Sequence, residues 1–175
     1  TDNGKARITF EVDSVLKYNS VNKLDVVMVI DNSDSMWGDK MEQVIHDAAE
    51  LTESVLSDPA NKIALITFNS EATVLSGLTN DKNTLLNYIR NIGVINNTNY
   101  YQGLLKAEEV LEGYHKQENR DLVMLFLTDG YPNEETPNEI GQYQTLKAAY
   151  PCMVINGIQY EMGDKILQPI INISD

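Results

Sequence analysis

The sequence predicts an α/β fold: a doubly wound, mostly parallel sheet with one antiparallel edge strand and helices on both faces. Three observations carry this reading. Leu24–Ile30 and Leu122–Leu127 are nearly continuous apolar runs, too short for lone buried helices and suited to strands covered on both faces. Segments of helical period alternate with the apolar runs, which is the pattern of βα units. Ile63–Phe68 and Ala72–Leu75 are parted only by the turn signal Asn69-Ser70-Glu71, so one of this pair runs antiparallel, at the sheet edge.

The elements follow in order. Residues 1–20 form a leading segment, in which Arg7–Val12 alternates apolar and polar as a half-exposed strand does, and residues 21–175 form the main domain. After the first apolar run, Met41, Val44, Ile45, Ala48, Leu51, Val55 and Leu56 recur at helical spacing, and Ser57-Asp58-Pro59 ends that helix. Asp81 or Thr79 caps a short helix carrying Leu85, Leu86, Tyr88 and Ile89. A helix from about Tyr101 to Gly113 buries Leu104, Leu105, Ala107, Val110 and Leu111. Thr136-Pro137-Asn138-Glu139 reads as a capping box opening a helix that runs to about Ala149. Cys152–Ile158 is expected to be a third buried strand, with the single cysteine inside it and no nucleophile. Asp164 starts a last short helix with Ile166, Leu167, Ile170 and Ile171.

Composition excludes several functions. The chain has 175 residues, enough for one domain with a real core, and a formal net charge of −13. Phosphate binding needs a basic surface, so nucleic acid is not an expected partner, and docking on anionic lipid is disfavoured for the same reason. No stretch reaches the roughly 20 apolar residues a membrane helix needs, so direct membrane insertion of this segment is not expected. No signal peptide is visible, and the start at Thr1-Asp2-Asn3-Gly4 reads as a cut boundary, so any targeting segment or anchor would lie outside this sequence.

Function concentrates at Asp31-Asn32-Ser33-Asp34-Ser35-Met36, directly after the first apolar strand. In an open α/β sheet that end of the strand is where ligands bind. One carboxylate and two hydroxyls at alternate positions are hard oxygen donors of the kind Mg²⁺ or Mn²⁺ prefers. Capping of the next helix would use the same residue types. Two further oxygens stand after predicted elements far downstream: Thr98 in the Asn-rich loop Gly93–Asn99, and Asp129 after the second apolar strand, in Leu127-Thr128-Asp129-Gly130. Asp31 to Glu42 also has the length of an EF-hand loop, but Met36 replaces its glycine and a strand replaces its entering helix.

Asp31, Ser33 and Ser35, with Thr98 and Asp129, resemble the Asp-x-Ser-x-Ser signature of the von Willebrand factor type A fold and its metal-ion-dependent adhesion site. The resemblance covers about Leu24 to the C-terminus. It implies a Rossmann-like sheet and a cation (Mg²⁺, or Mn²⁺ or Ca²⁺) held directly by Ser33, Ser35 and Thr98. Asp31 and Asp129 would act largely through bound waters. It implies a non-catalytic adhesion module whose ion completes its coordination with an Asp or Glu carboxylate from a protein partner. It also implies a coupled shift of the Thr98 loop and the final helix between affinity states. Asp34 departs from the family, which most often has Gly there; a third carboxylate beside the ion would tighten cation binding or favour Ca²⁺, and would repel an acidic partner.

The disulfide-free motif looks most like bacterial surface or pilus-tip adhesins, so a cell-surface or secreted location is expected. An intracellular scaffold of an ATPase or chelatase assembly is the alternative. A haloacid-dehalogenase-like phosphatase is a weaker one, because it needs a second carboxylate where Ser33 stands and a phosphate-binding lysine motif that is not visible. Trp37, Tyr100, Tyr101 and Tyr131 fall in the same loops, as a recognition rim or as packing. His46 and His115 lack partnering ligands and read as surface or structural residues.

Overall fold

The structure is a computed structural model and describes residues 22–95, 97–129 and 139–160. The leading segment 1–20, Tyr131, the capping residues 136–138 and the last helix at 164–171 lie outside the described residues.

Among the described residues five strands form one sheet in the order β3-β2-β1-β4-β5: β1 Lys23–Asp31, β2 Lys62–Phe68, β3 Ala72–Thr79, β4 Arg120–Thr128 and β5 Val154–Gln159. β1 is the centre, parallel to β2 on one side and to β4 on the other, and β4 is parallel to β5. β2 and β3 are antiparallel, with an irregular register between Ile63 and Ile66. The antiparallel pair and its edge position are as the short turn at 69–71 predicts.

Among the described residues four helices cover the sheet: α1 Asp39–Val55, α2 Lys82–Arg90, α3 Tyr100–Val110 and α4 Glu139–Ala149. Side chains alternate across a strand, and β1 sends them to two different cores. Val27 and Val29 join Phe68, Phe126 and the inner faces of α3 (Leu104, Ala107) and α4 (Tyr143, Leu146). Val26, Met28 and Ile30 join Ile63, Leu65 and the inner faces of α1 (Met41, Val44, Ala48) and α2 (Leu85, Ile89). A strand buried on both faces needs apolar residues at every position, which is why this run carries no alternation.

Local chemistry sets the helix ends. Asp81 caps α2 by accepting from the Thr84 amide at 3.1 Å, and Asn99 caps α3 by accepting from the Gln102 amide at 3.4 Å. Gly113, just past α3, has φ +74°, a left-handed conformation that glycine adopts without steric cost. Gly103 lets α3 lie close on the sheet: a Cβ there would stand 3.1 Å from Phe68 Cδ1 and 3.2 Å from Val29 Cγ1.

Three expectations are corrected. Cys152 is exposed, in the turn before β5, and is not a buried strand residue. β5 itself starts at Val154, which is 49% exposed, and the strand ends the described sheet with one neighbour only. An apolar stretch at a sheet margin is covered less than one at the centre, and sequence alone does not distinguish the two. Tyr88 projects to solvent from α2 and does not join its buried face.

At the end of the sheet opposite the strand C-termini, buried Asp25 accepts from Arg120 Nη1 and from the Tyr114 hydroxyl at 2.9 Å, and Arg120 Nη2 donates to Ala60 O at 2.8 Å. A charge buried this deeply needs such pairing, and the cluster ties β1, β4 and the turn before β2.

Candidate metal centre

The strand order brings the C-terminal ends of β1 and β4 side by side, with Ile30 opposite Leu127. The chain leaves β1 through Asp31 and Asn32 and makes a short 3-10 turn at Asp34–Met36, whose Met36 is fully buried in the α1/α2 core. This anchor presents Ser33 and Ser35 on the loop. Gly38, at φ +79°, then redirects the chain into α1.

Four of the five expected site residues are joined in one hydrogen-bonded cluster. Asp31 Oδ1 accepts from the Ser33 amide at 2.9 Å. The Ser33 and Ser35 hydroxyls lie 3.0 Å apart, and Ser35 Oγ donates to Asp129 Oδ1 at 3.2 Å. Asp31, Ser33 and Asp129 are fully buried. Thr98 is also fully buried, but no hydrogen bond joins it to the other four; its hydroxyl has no partner among the described residues. Its loop is tied to the site by backbone: Ile95 N–H donates to Asn32 O and Asn99 N–H to Asn69 O, each at 2.8 Å.

Several residues that the motif did not single out build this arrangement. Thr128 donates its hydroxyl to Asp31 Oδ2 at 2.6 Å and lies 3.0 Å from the Tyr100 hydroxyl. Tyr100 is not a rim residue: it is wholly buried, edge-on to Phe68 and Phe126 at 5.7 and 5.3 Å. Asn32, between Asp31 and Ser33, donates to Gly93 O at 2.8 Å and accepts from Asn69 Nδ2 at 3.2 Å, so it knots three loops together. Lys40, on the first turn of α1, donates to Asp129 Oδ2 at 2.9 Å and to Ser35 O at 2.7 Å. Nothing in the spacing of Lys40 or Asn32 marks them, because their roles arise only when separate segments pack.

Burial pushes the Asp31 carboxyl up to about 6; the hydrogen bonds from Thr128 and Ser33 oppose this, and the nearby Asp129 charge adds to it. Asp34 is exposed and sits in the 3-10 turn, and the positive-φ residues of the described chain do not include it. The site backbone therefore makes no demand there that Gly would meet better. Trp37 is 77% exposed beside this turn and Tyr101 is half-buried at the start of α3. His46 lies on the outer face of α1 beside Asp47 and Glu50, away from any donor cluster.

The donor set fits a hard divalent cation. Among the described residues no three His, Cys, Asp or Glu side chains gather as a metal cluster. The candidate set is instead two carboxylates and three hydroxyls, all oxygen, which suits Mg²⁺, Mn²⁺ or Ca²⁺ and not a thiolate- or imidazole-seeking ion. A buried hydroxyl without a partner costs about 1–3 kcal/mol, so the Thr98 hydroxyl is a group that a ligand would satisfy.

The class of protein is shown by comparison. The family model of the von Willebrand factor type A domain matches residues 26–131, more than half of the chain, and the protein belongs to that family. Among solved structures, the chain is similar to the vWF domain of the type V pili tip protein Mfa5 from Porphyromonas gingivalis, with 22% identity and a TM-score of 0.57, covering 74% of this chain and 51% of that one. It is similar to the manganese-loaded TRAP protein of Plasmodium vivax, with 19% identity and a TM-score of 0.70, covering 86% and 63%. It is also similar to the VWA domain of SpRpn10, with 18% identity and a TM-score of 0.66, covering 89% and 83%. At these identities the likeness is one of fold. The chain spans about half of the Mfa5 domain and about a quarter of a longer three-domain Mfa5 structure. No curated protein matched the sequence.

Proposed function

We propose that this domain is a divalent-cation-dependent protein-binding module of a cell-surface adhesin. Ser33, Ser35 and Thr98 would hold the cation through their hydroxyls, and Asp31 and Asp129 through bound waters. When bound, such an ion supplies a Lewis-acidic position that accepts a carboxylate oxygen. The residues supply the rest: two carboxylates acting largely through water, with neutral hydroxyls, leave the ion incompletely neutralised, and the buried cluster fixes where the hydroxyls stand. A partner offering an Asp or Glu side chain is the matching chemistry.

The observation that carries this reading is the hydrogen-bonded union of Asp31, Ser33, Ser35 and Asp129 beside an orphaned Thr98 hydroxyl. The pilus-tip relative and the manganese-loaded TRAP structure support the surface location and the cation respectively. The site is proposed as non-catalytic: Ser33 stands where a phosphatase would need its second carboxylate.

Calorimetric titration of Mg²⁺, Mn²⁺ and Ca²⁺ into chelator-treated protein tests this. Saturable heat is expected for the wild type, with binding lost or weakened by at least about tenfold in Asp31→Ala and Ser33→Ala, as removal of a ligand or its orienting partner does. Equal heats in wild type and both variants would eliminate the site.

A further inference from the structure

A second group of polar side chains lies at the far end of the sheet from the candidate cation site. Asp25, Lys62 and Arg120 stand at or near the starts of β1, β2 and β4, and Asp25 is opposite Lys62 in the parallel register. Each is an even number of positions before a member of the α3/α4 core (Val27, Ile66 and Leu122), so all three side chains leave the sheet on that face. α3 reaches only to Val110, and the chain past it turns at Gly113. Between that turn and the strand starts is a cavity of about 290 Å³, lined by Asp25, Lys62, Tyr114, His115, Gln117 and Arg120.

Donors outnumber acceptors in its wall. Asp25 is 3% exposed, and both its carboxylate oxygens have partners: Oδ1 accepts from Arg120 and Oδ2 from the Tyr114 hydroxyl. Arg120, its side chain 13% exposed, gives one N–H to Asp25 and one to Ala60 O, so most of a guanidinium's five donors are uncommitted. Among the described residues no hydrogen bond or ion pair engages Lys62, His115 or Gln117. A helix C-terminus attracts cations by itself, which accounts for basic residues below α3 but not for an open cavity between them.

We propose that this cavity is an anion site that takes a small molecule bearing a carboxylate or phosphate group. Lys62 supplies a mobile point charge at the rim. Arg120 supplies directed N–H donors from a fixed position, because Asp25 and Ala60 O hold its fork in place before any ligand arrives. His115 and Gln117 add a ring N–H and an amide. The volume lies at the lower edge of the roughly 300–1,000 Å³ of small-molecule sites, which suits one compact anion and not a helix or strand of a partner. In a chain of net charge −13 most of the surface repels anions, so a built set of donors gives selectivity that bulk charge does not. The site stands apart from the cation site and does not depend on it.

The test uses chelator-treated, desalted protein, with inorganic phosphate and succinate as separate probes, followed by amide and side-chain chemical shifts in NMR. Saturable shifts are expected at Lys62, residues 113–117 and the Arg120 guanidinium, for one probe or both; the probe that binds more tightly assigns the ligand to phosphate esters or to carboxylates. Lys62→Ala should weaken binding by at least about fivefold, as loss of a charge-assisted hydrogen bond does, and Lys62→Glu should abolish it. Arg120 is left in place, because removing it strands a buried carboxylate. Lys116→Ala, exposed and outside the cavity, should stay within about twofold of wild type, and thermal unfolding establishes that each variant is folded. Absence of saturable shifts for both probes overturns the proposal. So does equal weakening in Lys62→Ala and Lys116→Ala, which marks general charge attraction. Asp31→Ala should bind the anion as wild type does, so loss of the cation site and loss of this one are read separately.

Discussion

Asp31 is a buried carboxylate that burial holds at about 6, against an ordinary 3.8. The folded state therefore binds this proton more tightly than the unfolded chain does. Its contribution falls as pH rises from about 4 to about 6, by roughly 3 kcal/mol in total at about 1.4 kcal/mol per pK unit. In chelator, wild type is expected to lose stability relative to Asp31→Asn across that window, as measured by urea unfolding at successive pH values; parallel curves for the two proteins would contradict it. Any cation held there needs the ionised form, so binding should weaken below about pH 6. At this scale the sequence was partly legible. Asp31, Ser33 and Ser35 stand close together in a loop whose chemistry is local, and Asp129 ends an obvious strand. Thr128, Asn32 and Lys40 were not legible, because each acts across a gap of dozens of residues or from a neighbouring helix turn. Tyr100 was ambiguous for a physical reason: an amphipathic ring serves a rim or a core equally well, and here its hydroxyl finds Thr128 inside.

The 3-10 turn at Asp34–Met36 links core packing to the site. Met36 is fully buried among Met28, Ile30 and Val44, and it follows directly on Ser35. Met36→Ala is expected to cost about 2–5 kcal/mol in denaturant unfolding and to weaken cation binding as the serines lose their fixed position. Unchanged affinity in a destabilised variant would separate the turn from the site. Element existence was legible throughout the described chain, since continuous apolar runs and helical spacing are physical requirements of burial. Degree of burial was less so. The stretch at Cys152–Ile158 has the composition of a central strand, yet β5 has a single neighbour in the described sheet and Cys152 precedes it in an exposed turn. Composition records what a segment can tolerate, and position in the sheet decides what it receives.

Across the whole molecule, two cores are separated by one sheet, and the candidate site lies where the C-terminal ends of β1 and β4 meet. Binding a ligand to the folded state alone stabilises it by mass action, by about 2.7 kcal/mol at a hundredfold excess over Kd. For a domain of this size that is a rise of roughly 5–10 °C in Tm, expected on replacing chelator with saturating Mg²⁺ or Mn²⁺ in differential scanning calorimetry. No shift at any concentration would count against a specific site. The net charge of −13 adds a general attraction for cations that salt suppresses, so the shift should persist at high NaCl if it is specific. The chain also holds one indole, Trp37, and it stands in solvent two positions beyond Ser35. Whatever settles on this rim, ion or partner, is therefore reported by a single built-in indole, excited at wavelengths the nine tyrosines barely absorb.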